Sequence, residues 1–111
     1  MTLEYELQEI TADRGPDLTF TGRLIAEYAM QKKGSPHGTA IELWETRAGN
    51  WVLLTIGKSD VEGEVDRYET LILDQASERD RIIAAMTHMK WGHPARAFAK
   101  RAGWVLQMEV D

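Results

Sequence analysis

The sequence predicts an α+β fold: an antiparallel sheet of about five to six strands, with two helices near the C-terminus packed on one face. Three observations carry this. Apolar and polar residues alternate with period two along most of the first two-thirds of the chain. Short turns rich in Gly, Pro and Asn separate those runs, which favours consecutive antiparallel strands. Helical spacing of apolar residues appears only after Asp74. The 111 residues suit one α+β domain spanning 1–111, and 43% apolar residues are enough for a packed core.

The elements follow in order. Leu3 to Leu7 alternates apolar and acidic residues and reads as a first strand. Gly15-Pro16 marks a turn. Thr19 to Met30 reads as one long strand, with Phe20, Gly22, Leu24, Ala26, Tyr28 and Met30 on one face. Gly22 inside it signals a bulge or a close backbone approach. Gln31 to Gly38 is a loop. Ala40–Thr46 and Trp51–Ile56 form a hairpin around Arg47-Ala48-Gly49-Asn50. The second arm is almost wholly apolar, the pattern of a central strand covered on both faces. Arg67–Leu73 is a further strand. Asp74 or Ser77 offers an N-cap for a helix over 75–90, with Ile82, Ile83, Met86 and Met89 inward. Pro94 opens and Gly103 follows a short helix whose inward stripe is Ala95, Phe98, Ala99 and Ala102. Trp104, Leu106, Met108 and Val110 alternate as a last strand.

Composition narrows the function. With no cysteine there is no disulfide scaffold, no thiolate metal site and no cysteine nucleophile. No apolar run reaches a membrane span, and no secretory signal is visible, so a cytoplasmic protein is expected. No Gly-x-Ser-x-Gly elbow and no phosphate-cradling glycine loop is present; Gly57-Lys58-Ser59 lacks the upstream glycine of a P-loop. Carboxylate acid–base chemistry by a pair such as Glu42 and Glu45 is the enzymatic alternative, and it needs a cleft. No cofactor is implied.

Charge is unevenly placed. The net charge of the chain is −5, yet residues 60–80 hold eight acids and two bases, and residues 81–108 hold five bases and no acid. Within the first segment Asp60, Glu62, Glu64 and Asp66 stand at alternate positions. Such spacing suggests calcium, but an EF-hand needs Gly at its sixth position and Glu at its twelfth, where Val65 and Leu71 stand. The better reading is an acidic surface for a basic protein partner. Trp44, out of phase with Ile41 and Leu43, is expected to face away from the core and to serve as an apolar anchor. The alternative interface is for nucleic acid, through Lys90, Trp91, Arg96, Lys100 and Arg101, where cations interleave with an aromatic. The net negative charge opposes it. His88 and His93 are five apart, not the four of a helical zinc pair, and His37 lies in the predicted loop.

Phe20-Thr21-Gly22-Arg23-Leu24-Ile25-Ala26, Glu42-Leu43-Trp44-Glu45-Thr46, Trp51 through Ser59 and Gly63-Glu64-Val65-Asp66-Arg67-Tyr68 resemble small uncharacterised accessory proteins of bacterial plasmids and phages. The resemblance covers about residues 20–73 and brings no catalytic motif. It implies a mobile-element setting, in which small acidic proteins bind and block host machinery, as anti-defence (anti-CRISPR-like) factors do. The expected function is therefore non-enzymatic protein–protein binding. A homodimer through an exposed edge of the long strand is a further expectation.

Overall fold

The computed structural model describes residues 4–31, 33–74 and 77–107. Its elements are β1 (Glu6–Ile10), β2 (Leu18–Gln31), β3 (His37–Thr46), β4 (Trp51–Ser59), β5 (Arg67–Leu73), α1 (Glu78–His88) and α2 (His93–Ala102). The strands form one antiparallel meander in the order β1-β2-β3-β4-β5. The β3–β4 hairpin closes where predicted: Gly49 takes φ 89° and its N–H donates to Thr46 O at 2.9 Å. Trp51, Val52, Leu53, Leu54 and Ile56 are all buried, as a strand covered on both faces requires.

Two apolar layers lie on the two sides of the sheet. Ile41, Leu43, Trp51, Leu53 and Leu73 pack with Ala85 of α1 and Phe98 of α2. Ala40, Leu54 and Ile56 pack on the other side with Ile10 and Tyr68. Ile10 and Tyr68 come from the first and last strands, so the sheet curls until its ends meet on that side.

The β1–β2 turn makes the closure. Asp13 and Arg14 donate their N–H groups to Tyr68 O at 2.8 and 3.2 Å, and Thr70 N–H donates to Arg14 O at 3.0 Å. Tyr68 N–H donates to Asp13 Oδ2 at 2.8 Å, and Thr70 Oγ1 donates to Pro16 O at 2.6 Å. Gly15, at φ 93°, is required here, because a Cβ would run into the Thr70 carbonyl oxygen.

Three of the predicted details that change bear on packing. First, β1 begins at Glu6, and the strand predicted from Leu3 shares only its end with it. Leu7 is 65% exposed, while Ile10, of opposite parity, is the residue that packs. The closure on β5 decides which parity turns inward. Second, the bulge in β2 lies at Ile25, between Leu24 and Ala26, not at Gly22. Leu24 opposes Trp44 on the uncovered side, and Ala26 opposes Leu43 on the helix side. The predicted single apolar face of β2 is thus split between the two sides of the sheet. Gly22 marks a close approach instead: a Cβ there would stand 2.8 Å from Glu45 O. Third, Trp104 to Gln107 is not a strand; the rest of that predicted element, Met108 to Val110, lies outside the described residues.

The helices follow their caps. Ser77 Oγ accepts from Asp80 N–H at 3.1 Å and starts α1, which ends at His88 rather than Lys90. α2 starts with Pro in its first turn and ends on Gly103, in the left-handed conformation at φ 74°. Gly103 N–H donates to Lys100 O and Trp104 N–H to Ala99 O, a Schellman closure. This turn throws Trp104 back onto the core. Its ring stacks on Trp51 at 5.8 Å and meets Phe98 edge-on at 5.3 Å. That packing is what the alternation at Trp104 and Leu106 serves.

Between the helices Lys90 and Trp91 take φ 58° and 54°. Neither is glycine, and each left-handed side chain costs about 1–2 kcal/mol. Substituting Lys90→Gly should therefore raise stability by about 1 kcal/mol, read as a higher urea midpoint with an unchanged slope.

Candidate binding surfaces

The acidic segment 60–66 is the connection between β4 and β5, and the strand ends hold it in one shape. Gln31 Nε2 donates to Asp60 Oδ2 at 3.0 Å from the end of β2. Ser59 N–H donates to Asp66 Oδ1 at 3.1 Å. Ser59 Oγ donates to Glu64 Oε2 at 2.6 Å and accepts from Val61 N–H at 3.1 Å. His37 Nε2 meets the same Glu64 oxygen at 3.0 Å. The Ser59 hydroxyl and then the His37 ring hold the Glu64 carboxyl below its ordinary pKa. His37, the first residue of β3, is thereby part of the loop's clasp. The donors to Asp60 and Asp66 are neutral amide groups. Glu62 stands exposed, and Val65 at the tip is 79% exposed between Glu64 and Asp66.

The clasp brings a Ser, a His and a Glu together, but in an order that suits holding rather than catalysis. Serine and histidine both engage the carboxylate. A carboxyl held below its ordinary pKa is also a poor base. Among the described residues no group of three or more His, Asp or Glu side chains is placed to hold a metal ion.

Trp44 lies on the uncovered side of the sheet, as its phase predicts. Its ring meets Phe20 edge-on at 6.0 Å, and its Nε1 donates to Glu42 Oε1 at 3.0 Å. Seven residues of β3 separate it from His37, about 23 Å at ~3.3 Å per residue. The structure therefore does not join Trp44 and the acidic loop into one patch. Nor does it join Glu42 and Glu45, which lie on opposite sides of β3. Glu45 instead accepts from Tyr5 OH at 2.9 Å and from Arg23 Nη2 at 2.8 Å. That hydrogen bond to Glu45, before any effect of burial, raises the pKa of Tyr5.

The basic C-terminal set is also dispersed. Trp91 packs against Met86, Ala95 and Ala99, and Arg96 covers its ring at 5.7 Å while donating Nε–H to Trp91 O at 3.0 Å. The aromatic that was to stack on bases is thus engaged within the fold. Arg101 lies over the Tyr28 ring at 5.9 Å, on the β2 side. Lys100 and Arg101 close α2, and Glu78 and Asp80 open α1, so part of the charge asymmetry complements the helix dipoles. Lys90 stays exposed at the inter-helix turn.

Sequence reasoning missed Gln31, His37 and Ser59 as partners of the acids. Gln31 and His37 lie 27 or more residues away from theirs, and no local pattern announces them. Among the described residues no helix is long and apolar enough to cross a membrane. No family model matches the chain, and no curated protein or solved structure matches it either.

Removing the clasp has a defined outcome. Glu64→Gln should speed amide exchange at Val61 several-fold while changing global stability by about 0.5 kcal/mol or less. In the unaltered protein the lowered pKa means that the carboxylate's contribution is complete above the ordinary glutamate pKa. It is lost only as pH falls through the lowered value. Val61 protection should therefore hold from pH 7 down into the ordinary carboxylate range and fail below it.

Proposed function

We propose that this protein works without catalysis, by binding another protein and covering a basic surface with the β4–β5 loop. The observation that carries this is the bracing of Asp60, Glu64 and Asp66 from β2, β3 and β4. Their charges stand at fixed positions before any partner arrives, which lowers the ordering cost of association. Glu62 and the apolar Val65 project from the same frame. A charged loop of this kind speeds encounter with an oppositely charged partner and selects against acidic ones. The resemblance of residues 20–73 to accessory proteins of plasmids and phages supplies the setting: a stoichiometric blocker of host machinery, a defence complex among the targets. The packing of Trp91 and the negative net charge both favour this reading over nucleic-acid binding.

A photo-crosslinking residue at position 62, introduced in the native host, should capture one protein with a basic surface. Affinity for that protein should then fall about ten-fold in Glu62→Lys, mostly through the association rate, and should weaken with salt. Glu62 takes no part in the bracing bonds, so the fold should be unchanged. Affinity unaltered by Glu62→Lys, and by charge reversal at all four acids, would show that the loop is not the interface.

A further inference from the structure

The uncovered side of the curled sheet holds a groove of about 570 Å³. Its floor is apolar, with Ile10, Leu54, Ile56 and Tyr68 packed together. Trp44 stands at its wall, and Glu42 beside it accepts the Trp44 indole N–H. The β2–β3 register sets Glu27 directly across from Glu42. Like charges directly opposite on neighbouring strands destabilise a sheet. Neither glutamate has an ion-pair partner among the described residues. The fold thus carries a repulsive pair next to an indole ring and an apolar trough; Glu9 and Lys58 also line the groove, and among the described residues Lys58 forms no ion pair with either glutamate.

From this arrangement we infer that the uncovered sheet face docks an extended, arginine- or lysine-bearing segment of a partner protein, with Glu27, Glu42 and Trp44 receiving the cation. A basic side chain there offsets the repulsion between the two carboxylates. It also gains the attraction of a cation for an aromatic ring, largest for tryptophan. The remainder of the segment lies against the partly exposed Ile10 and Tyr68, over the already buried Leu54 and Ile56. The occupant follows from charge: a neutral apolar segment leaves the glutamates repelling, and an acidic one adds to it. This rests on the proposal that the partner is basic, but the cation site at Trp44 lies about 23 Å along β3 from His37 and the acidic loop, while the other end of the groove, at Lys58, adjoins that loop.

The test uses the full chain and two blocked pentapeptides, Ac-Gly-Arg-Leu-Arg-Gly amide and its Arg-to-Ala counterpart, followed by two-dimensional 1H–15N NMR in dilute salt. The Arg peptide should shift the Trp44 indole N–H saturably. The Ala peptide should bind about ten-fold more weakly, and so should the Arg peptide to the Glu27→Gln/Glu42→Gln variant, whose dispersed spectrum confirms its fold. Equal binding of the two peptides would make the groove merely apolar and overturn the inference. So would a Trp44 shift produced by raising the protein concentration alone, which would assign the face to a second copy. Shifts confined to Glu62 and Val65 would overturn it as well, while leaving the loop reading standing. No shift at either place also overturns it, and Glu62→Lys against the captured partner judges the loop separately.

Discussion

The hydrogen bonds between Asp13–Pro16 and Tyr68–Thr70 are the constraint on which the rest of the structure depends. They tie the turn after the first strand to the last strand and force a five-stranded meander to curl. Each bond is worth only about 1 kcal/mol net, but together they decide the topology of the surface. They cover part of the β5 edge, which would otherwise be open to another chain. They also bring Ile10 across to Tyr68, which gives the uncovered side a floor. Without the curl that side would be a flat sheet face with no groove. Gly15 permits the approach, since any side chain there would meet the Thr70 carbonyl.

The bulge at Ile25 performs a second division of labour. Before it, β2 sends Leu24 to the same side as Trp44; after it, Ala26 and Tyr28 turn to the core beneath α2. One strand thereby serves two layers. Ala95 and Ala99 of α2 are covered together with Met86 of α1, and Phe98 fills the space between helix and sheet. On the outer edge of β2, β1 pairs only with Leu18–Gly22. Among the described residues no strand pairs that edge beyond it, the edge on which the expectation of a strand-mediated dimer rests.

Charge in this molecule has two uses that composition alone merges. Glu78 and Asp80 sit at the start of α1, and Lys100 and Arg101 at the end of α2, where the helix dipoles favour them. Arg81 lies over Trp51 at 5.2 Å and Arg96 over Trp91, so two more cations serve packing. Against that background Asp60, Glu64 and Asp66 brace the β4–β5 loop itself, and Glu42 holds the Trp44 indole N–H across from Glu27. The loop and Trp44 lie at different places on the sheet, and the groove runs from Trp44 to Lys58 beside the loop. A basic partner long enough to reach from one to the other would gain from both.

How much was legible in the sequence follows from the range of each interaction. The hairpin at Gly49, the N-cap at Ser77, the Pro94 start and the Gly103 stop of α2 are set by neighbours within a few residues, and the sequence by itself determined them. So did the outward phase of Trp44, because alternation along one regular strand needs no partner. The α+β class followed from the switch between period two and helical spacing. Tertiary structure alone decided the side on which Ile10 and Ala26 fall, because a bulge and a curl each reverse the parity that alternation assumes. It turned Trp104 from a strand residue into a plug, since the Trp51 ring on which it stacks comes from β4, far away in the chain. It also joined Gln31 and His37 to the acids and set Glu27 against Glu42. Contacts across 15 or more residues depend on strand register, and register is a property of the assembled sheet.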